Sequence, residues 1–188
     1  MKSNWLAVPV VLSLAACTAN APPSGGGIDA QTQALLDKVA IADLLGSYYG
    51  NFGGTAADAF DRYYTDDATF DVNGHVAHGK KEIEGIYGGL AASGDSPATR
   101  GTFHMLMTNP VITVAGDTAT ASLLWTGILN PKVDAPPQFV EQGREYDRLV
   151  KQNGKWLISK RVVIADSGLP ASFKDTYTPR KGYDVTKD

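Results

Sequence analysis

The pattern of apolar and polar positions divides the chain near residue 100. Before it, Gln31 to Phe52 carries Leu35, Val39, Ala42, Leu45, Tyr48, Tyr49 and Phe52 at helical spacing, which predicts a helix with one wide apolar face. Asp29 stands where an N-cap belongs, and Gly53-Gly54 stands where the helix should stop. A second short helix fits Ala56 to Tyr64. The turn residues Thr65-Asp66-Asp67 then lead into a strand at Ala68 to Val72, and a third helix fits Lys80 to Leu90 behind Gly79.

Beyond residue 100 the runs Thr102 to Val114, Thr118 to Leu129, Phe139 to Val150 and Trp156 to Ile164 are rich in Val, Ile, Thr and aromatics, and predict strands. Gly116-Asp117 and Asn153-Gly154 fall where tight hairpin turns belong. With Asn153-Gly154 as a two-residue turn, Leu149 faces Ile158, Asp147 faces Lys160 and Tyr146 faces Arg161. Helices first and a curled antiparallel sheet afterwards predict an α+β layer architecture.

Composition narrows the partners. The chain has 188 residues, 43% of them hydrophobic, and a net charge of -3, so it lacks the basic excess of a nucleic-acid binder. Its one cysteine, Cys17, excludes an intramolecular disulfide and a four-cysteine zinc site. Residues 1–16 read as a secretory signal, with Lys2 ahead of the apolar run Trp5 to Ala15, and the run ends in Leu14-Ala15-Ala16-Cys17. That ending resembles the lipobox of bacterial lipoproteins. The resemblance implies cleavage before Cys17, lipidation of Cys17, and residence in the bacterial cell envelope at the periplasmic face of the outer membrane. Residues 17–28, with Pro22-Pro23 and Gly25-Gly26-Gly27, form a tether; residues 29–168 form the folded domain, and 169–188 a C-terminal extension.

Within the domain, Ile41-Ala42-Asp43-Leu44-Leu45, Tyr63-Tyr64-Thr65-Asp66-Asp67-Ala68-Thr69-Phe70, His104 with Asn109-Pro110, Tyr146-Asp147-Arg148-Leu149 and Gly154-Lys155-Trp156-Leu157-Ile158 with Arg161 follow one another in a telling order. Together they resemble the SnoaL-like branch of the nuclear transport factor 2-like superfamily, which includes scytalone dehydratase-like members. The resemblance implies a cone-shaped α+β roll, with three N-terminal helices packed in a strongly curved mixed or antiparallel sheet around a pocket. It also implies frequent pairing into a homodimer through the outer face of the sheet. The fold hosts enzymes and non-enzymes alike, so it leaves the function open.

Against the dehydratase pattern, Gly53 occupies the place of the helix-end Asp, and Trp125 lies on the strand where a second His would be. His104 matches the pocket histidine and is the candidate acid/base group, with Tyr49 as its hydroxyl partner. Tyr48, Phe52, Tyr63, Phe70, Met107 and Trp125 would line a pocket suited to a small hydrophobic molecule. His75 and His78 lie at an odd separation, which in a strand sends them to opposite faces, so no metal site is expected; nor does any motif call for a cofactor. The charged run Arg144-Glu145-Tyr146-Asp147-Arg148 reads as a solvated or ion-paired face. Three classes follow. The first is a lipoprotein that binds a small hydrophobic ligand, and the second is a cofactor-independent hydro-lyase or isomerase using His104. The third is a dimeric interaction module without ligand.

Overall fold

Asp29 starts the first helix: its Oδ1 accepts the Thr32 N–H at 2.9 Å and its Oδ2 accepts the Thr32 hydroxyl at 2.7 Å. This is seen in a computed structural model of the chain, which describes residues 28–52, 60–94 and 96–187. Cys17 and the tether, and Gly53 with most of the second expected helix, lie outside the described residues. Helix α1 (Ala30–Gly50) ends with the Asn51 N–H bonded to the Tyr48 carbonyl, before Gly53. Its buried stripe is Asp37, Ile41, Leu45, Tyr48 and Tyr49, whereas Leu35 and Val39 are exposed. The expected apolar face is therefore rotated at its start.

The buried Asp37 that takes the place of an apolar residue has a physical reason. Its Oδ1 accepts the Lys151 ammonium at 2.7 Å and the Trp156 indole N–H at 2.9 Å, and these two bonds hold its carboxyl below the usual range. They fasten the helix to the sheet.

Strands β1 (Tyr64–Val72), β2 (His75–His78), β3 (Thr102–Ala115), β4 (Thr118–Asn130), β5 (Gln138–Gln152) and β6 (Lys155–Ser167) form one sheet in the order β2-β1-β6-β5-β4-β3. Strand β1 runs parallel to β6 and every other pairing is antiparallel, so the sheet is mixed. Helix α2 (Gly79–Ser93) connects β2 to β3. The described residues thus hold two α-helices rather than three, and only the first precedes the sheet. Residues 61–63 form a short 3-10 turn, and Tyr64 already belongs to β1, where a helix was expected to continue.

The Asn-Gly hairpin forms as expected. Gln152 pairs with Lys155 across Asn153-Gly154, whose φ values of 51° and 77° are those that two-residue turns require. Leu149 faces Ile158, but a bulge at Ser159 then shifts the register, so that Asp147 faces Arg161, Tyr146 faces Val162 and Arg148 faces Lys160. This one-residue correction places a buried carboxylate directly opposite a buried guanidinium.

The extension beyond β6 is part of the fold. Tyr177 donates its hydroxyl to the Ala165 carbonyl at 2.8 Å, and the chain then crosses the outer face of β5. There Arg144 donates to the Arg180 carbonyl at 3.0 Å, Tyr146 meets the Tyr183 ring edge-on, and Arg148 donates to the Val185 carbonyl at 2.7 Å. Val162 and Ile164, which pair with Tyr146 and Arg144, are 1% and 2% exposed on that face. The outer surface expected to need a second copy is covered here by the chain's own last residues.

Candidate functional site

Where helices α1 and α2 lie over the concave face of the sheet, a cavity of about 90 Å³ remains. Helix α1 supplies Tyr48 and Tyr49, and Phe52 follows its end. Ile86, Tyr87 and Leu90 come from α2, while Phe70, Val72, Met105, Trp125 and Val163 come from the sheet. Pro170 and Phe173, at the start of the C-terminal segment, close the last side. Tyr87 stacks on Phe60 at 4.3 Å and on Phe70 at 5.8 Å, so the wall is a set of mutually supported rings.

Of the expected site residues, Tyr48, Tyr49, Phe52, Phe70 and Trp125 line the cavity. Tyr63 and Met107 do not. Tyr63 is buried under Asn51 and Arg62, both of which donate to its hydroxyl, and Met107 is half-buried further along β3. His104 is exposed on the opposite face of the sheet. Phe103, Met105 and Met107 turn toward the core, and alternation along the strand sends His104 outward. The pairing of His104 with Tyr49 is therefore corrected: they lie on opposite sides of the sheet. His75 and His78 are exposed, and among the described residues no three His, Cys, Asp or Glu side chains gather as a metal site.

The run read as a solvated or ion-paired face is ion-paired on its inner side and gives the cavity one polar group, Glu145. Strand alternation turns Glu145 and Asp147 inward, where they are 1% and 0% exposed. Arg161, also fully buried, bonds Asp147 through Nε at 2.7 Å and Nη2 at 3.2 Å, and its Nη2 lies 3.0 Å from Glu145 Oε1. That last contact is an ion pair without hydrogen-bond geometry, since Oε1 lacks a hydrogen-bond partner. The guanidinium carbon sits 3.9 Å from the centre of the Tyr48 ring. Tyr49 donates its hydroxyl to Glu145 Oε2 at 2.7 Å, and Tyr48, Tyr64 and Tyr87 join their hydroxyls nearby. Burial drives the Glu145 carboxyl well above its ordinary range against the opposing pull of Arg161.

Glu141, four residues earlier on the same face of β5, has no such partners. Among the described residues nothing hydrogen-bonds its carboxyl, and burial pushes it up to about 7, with only the field of Arg100 opposing. Its position is fixed by backbone. A Cβ on Gly127, its cross-strand neighbour, would come within 2.5 Å of Glu141 Cγ, and one on Gly168 within 2.6 Å of Glu141 Cα. Bulges at Val140 and Asp166 bend the strands on either side. On Gly143 a Cβ would meet the Trp125 indole at 2.7 Å, so the missing side chain lets that ring lie flat in the wall. Asn73, at φ 55°, spends its carboxamide oxygen on the Ala165 N–H at 2.8 Å, which leaves its Nδ2 as the donor it can offer the cavity.

A family model described as a SnoaL-like domain matches residues 33–162. An NTF2-like protein with a cystatin-like fold from Novosphingobium aromaticivorans superposes with a TM-score of 0.64 at 19% identity, over 80% of this chain and 94% of that one. A protein of unknown function from Mycobacterium tuberculosis gives 0.62 at 22% identity, covering 85% and 87%. A Novosphingobium aromaticivorans protein provisionally assigned as a scytalone dehydratase gives 0.57 at 16% identity, covering 80% and 94%. No curated protein matches the sequence. At these identities the likeness is one of fold.

Proposed function

Since the chain belongs to the SnoaL-like domain family, whose fold carries both binders and enzymes, we propose that it holds a small, flat, hydrophobic molecule in the cavity. The observation that carries this reading is the wall of Tyr48, Tyr49, Phe52, Phe70, Tyr87 and Trp125 around one unpartnered carboxyl group, Glu141. Thermal unfolding in the presence of small aromatic compounds tests it. Such compounds should raise the midpoint of the wild type, and Val163→Phe, which fills the cavity, should abolish the shift. His104→Ala should retain it. If none of a broad aromatic panel moves the wild-type midpoint, the cavity is not a receptor.

Turnover is a second reading, and Glu141 is the observation that favours it. A carboxyl group near pKa 7 can take or give a proton at neutral pH, a role that His104 on the outer face cannot fill. Proton transfer would then run between Glu141 and a bound carbon acid, with Asn73 Nδ2 as the donor to a developing oxyanion.

We further propose that the domain works in the bacterial cell envelope, anchored by lipid on Cys17 at the periplasmic face of the outer membrane. The support is Leu14-Ala15-Ala16-Cys17 at the end of an apolar run. The tether 17–28 would leave the cavity free of the anchor. A homodimer would have to use the part of the outer face that the C-terminal segment leaves open, where Leu106 and Val111 are exposed.

A further inference from the structure

We propose that the ligand of this cavity is a small aromatic molecule bearing a protonated amine, and that the Glu141 carboxylate is its counter-ion. The proposal rests on the binding reading above and adds the charge of the ligand to it.

Among the described residues no Lys, Arg or His lines the cavity, while two carboxyl groups, Glu141 and Glu145, do. The nearest buried cation, Arg161, lies outside the lining and is ion-paired through Nε and Nη2 with Asp147 and Glu145, its Nη1 being buried without a hydrogen-bond partner. Its charge is answered by two carboxyl groups, and Arg100, exposed and outside the lining, acts on Glu141 only through its field. Glu145 is held by the Tyr49 hydroxyl as well, so the carboxyl group free to answer a ligand is Glu141. Gly127 lies against its Cγ and Gly168 against its backbone, so the root of the side chain is held on the inner face of β5.

Glu141 is half-buried and its carboxylate has no partner, and the rise to about 7 expresses the cost of that partial desolvation. Two events relieve it: uptake of a proton, or arrival of a cation. The surrounding rings favour the second, because the negative π-faces of Tyr, Phe and Trp attract an ammonium group while their bulk accepts an aromatic body. A neutral ligand gains only the apolar contact, and an anion meets two carboxyl groups among apolar walls.

Three probes of one shape and different charge decide the matter: benzylammonium, benzyl alcohol and benzoate, titrated calorimetrically into the purified protein at pH 7.5. Benzylammonium should bind about tenfold tighter than benzyl alcohol, with benzoate weakest, as expected for a desolvated cation–carboxylate and cation–π contact. In Glu141→Gln the preference for amine over alcohol should shrink to about twofold or less. Benzyl alcohol or benzoate binding the wild type as well as the amine would overturn the proposal while leaving the binding reading intact. An amine preference that survives in a folded Glu141→Gln protein would overturn the role of Glu141. If none of the three binds while other neutral aromatic compounds raise the unfolding midpoint, the amine proposal falls alone. If nothing aromatic binds, the receptor reading falls and takes this proposal with it.

Discussion

The Tyr49 hydroxyl reaches Glu145 Oε2 at 2.7 Å, across 96 positions of sequence, and ties helix α1 to the middle of the sheet beneath the cavity. Both partners are buried, and the other carboxyl oxygen lies in the ion pair with Arg161. Tyr49→Phe removes the donor and leaves a buried carboxyl oxygen unanswered, so the protein should lose about 2 kcal/mol of stability. Urea unfolding gives the number. A loss below about 0.5 kcal/mol would mean that the bond is not formed in solution, since ordinary buried hydrogen bonds exceed that value.

Glu141 predicts a pH dependence opposite to that of a paired carboxylate. Its folded pKa of about 7 lies above the ordinary 4.5, so the fold favours the protonated form. Stability from this group is fully present below pH 4.5, where both states are protonated, and falls as pH rises toward 7, because the unfolded chain releases its proton first. Glu141→Gln should therefore stabilise the protein at pH 8 relative to the wild type, by at most about 3 kcal/mol, and show little gain at pH 4.5. Parallel unfolding curves for the two proteins at pH 4.5 and 8 would refute this.

Gly127→Ala should disturb the site without touching a functional group. The new methyl meets Glu141 Cγ at 2.5 Å and Phe103 Cζ at 2.8 Å, so one side chain must move, at a cost of about 1–3 kcal/mol. The midpoint shift caused by small aromatic compounds should fall with it. Gly116→Ala, whose Cβ meets nothing within 4 Å but whose φ is 62°, separates turn strain from the effect on the cavity.

Removing residues 179–188 uncovers Val162 and Ile164 on the outer face. Each stands to lose about 1.5–3 kcal/mol of burial, so the shortened protein should unfold at distinctly lower urea and should self-associate in light scattering. A truncated protein as stable and as dispersed as the full chain would show that the segment does not cover the face in solution.

Cys17→Ala should abolish partition with membranes and leave unprocessed precursor or free soluble protein, while intact-mass measurement of the wild type should show lipid on Cys17. An unmodified Cys17 thiol on the mature wild-type chain contradicts the proposed anchor.

Much of the fold was legible because it depends on local chemistry. Asp29 caps, Asn153-Gly154 turns, and the four long strands from Thr102 onward sit within three residues of their expected ends. The site was less legible, because its inward positions are not apolar. Along β5 the buried face reads Gly143, Glu145, Asp147, Leu149, in which only the last announces a core. The bulge at Ser159 has no marker in composition, and without it Arg161 pairs with the wrong neighbour. His104 is the instructive error. Phe103, Met105 and Met107 are apolar positions of the same strand, and a period of two requires His104 to face away from them. Glu141 had a signal too: it precedes Gly143, Glu145 and Asp147 at even spacing, on the face it shares with its cross-strand neighbour Gly127.

The C-terminal segment touches both sides of the sheet. It begins at Gly168, against the backbone of Glu141, passes Pro170 and Phe173 at the cavity wall, and ends with Val185 buried on the outer surface. The unit that folds is thus longer than the stretch 33–162 by which the family is recognised. Two chains with the same core and different endings would share a scaffold and differ in the shape of the wall, so that ligand choice could diverge through the last twenty-one residues while every strand stayed in register.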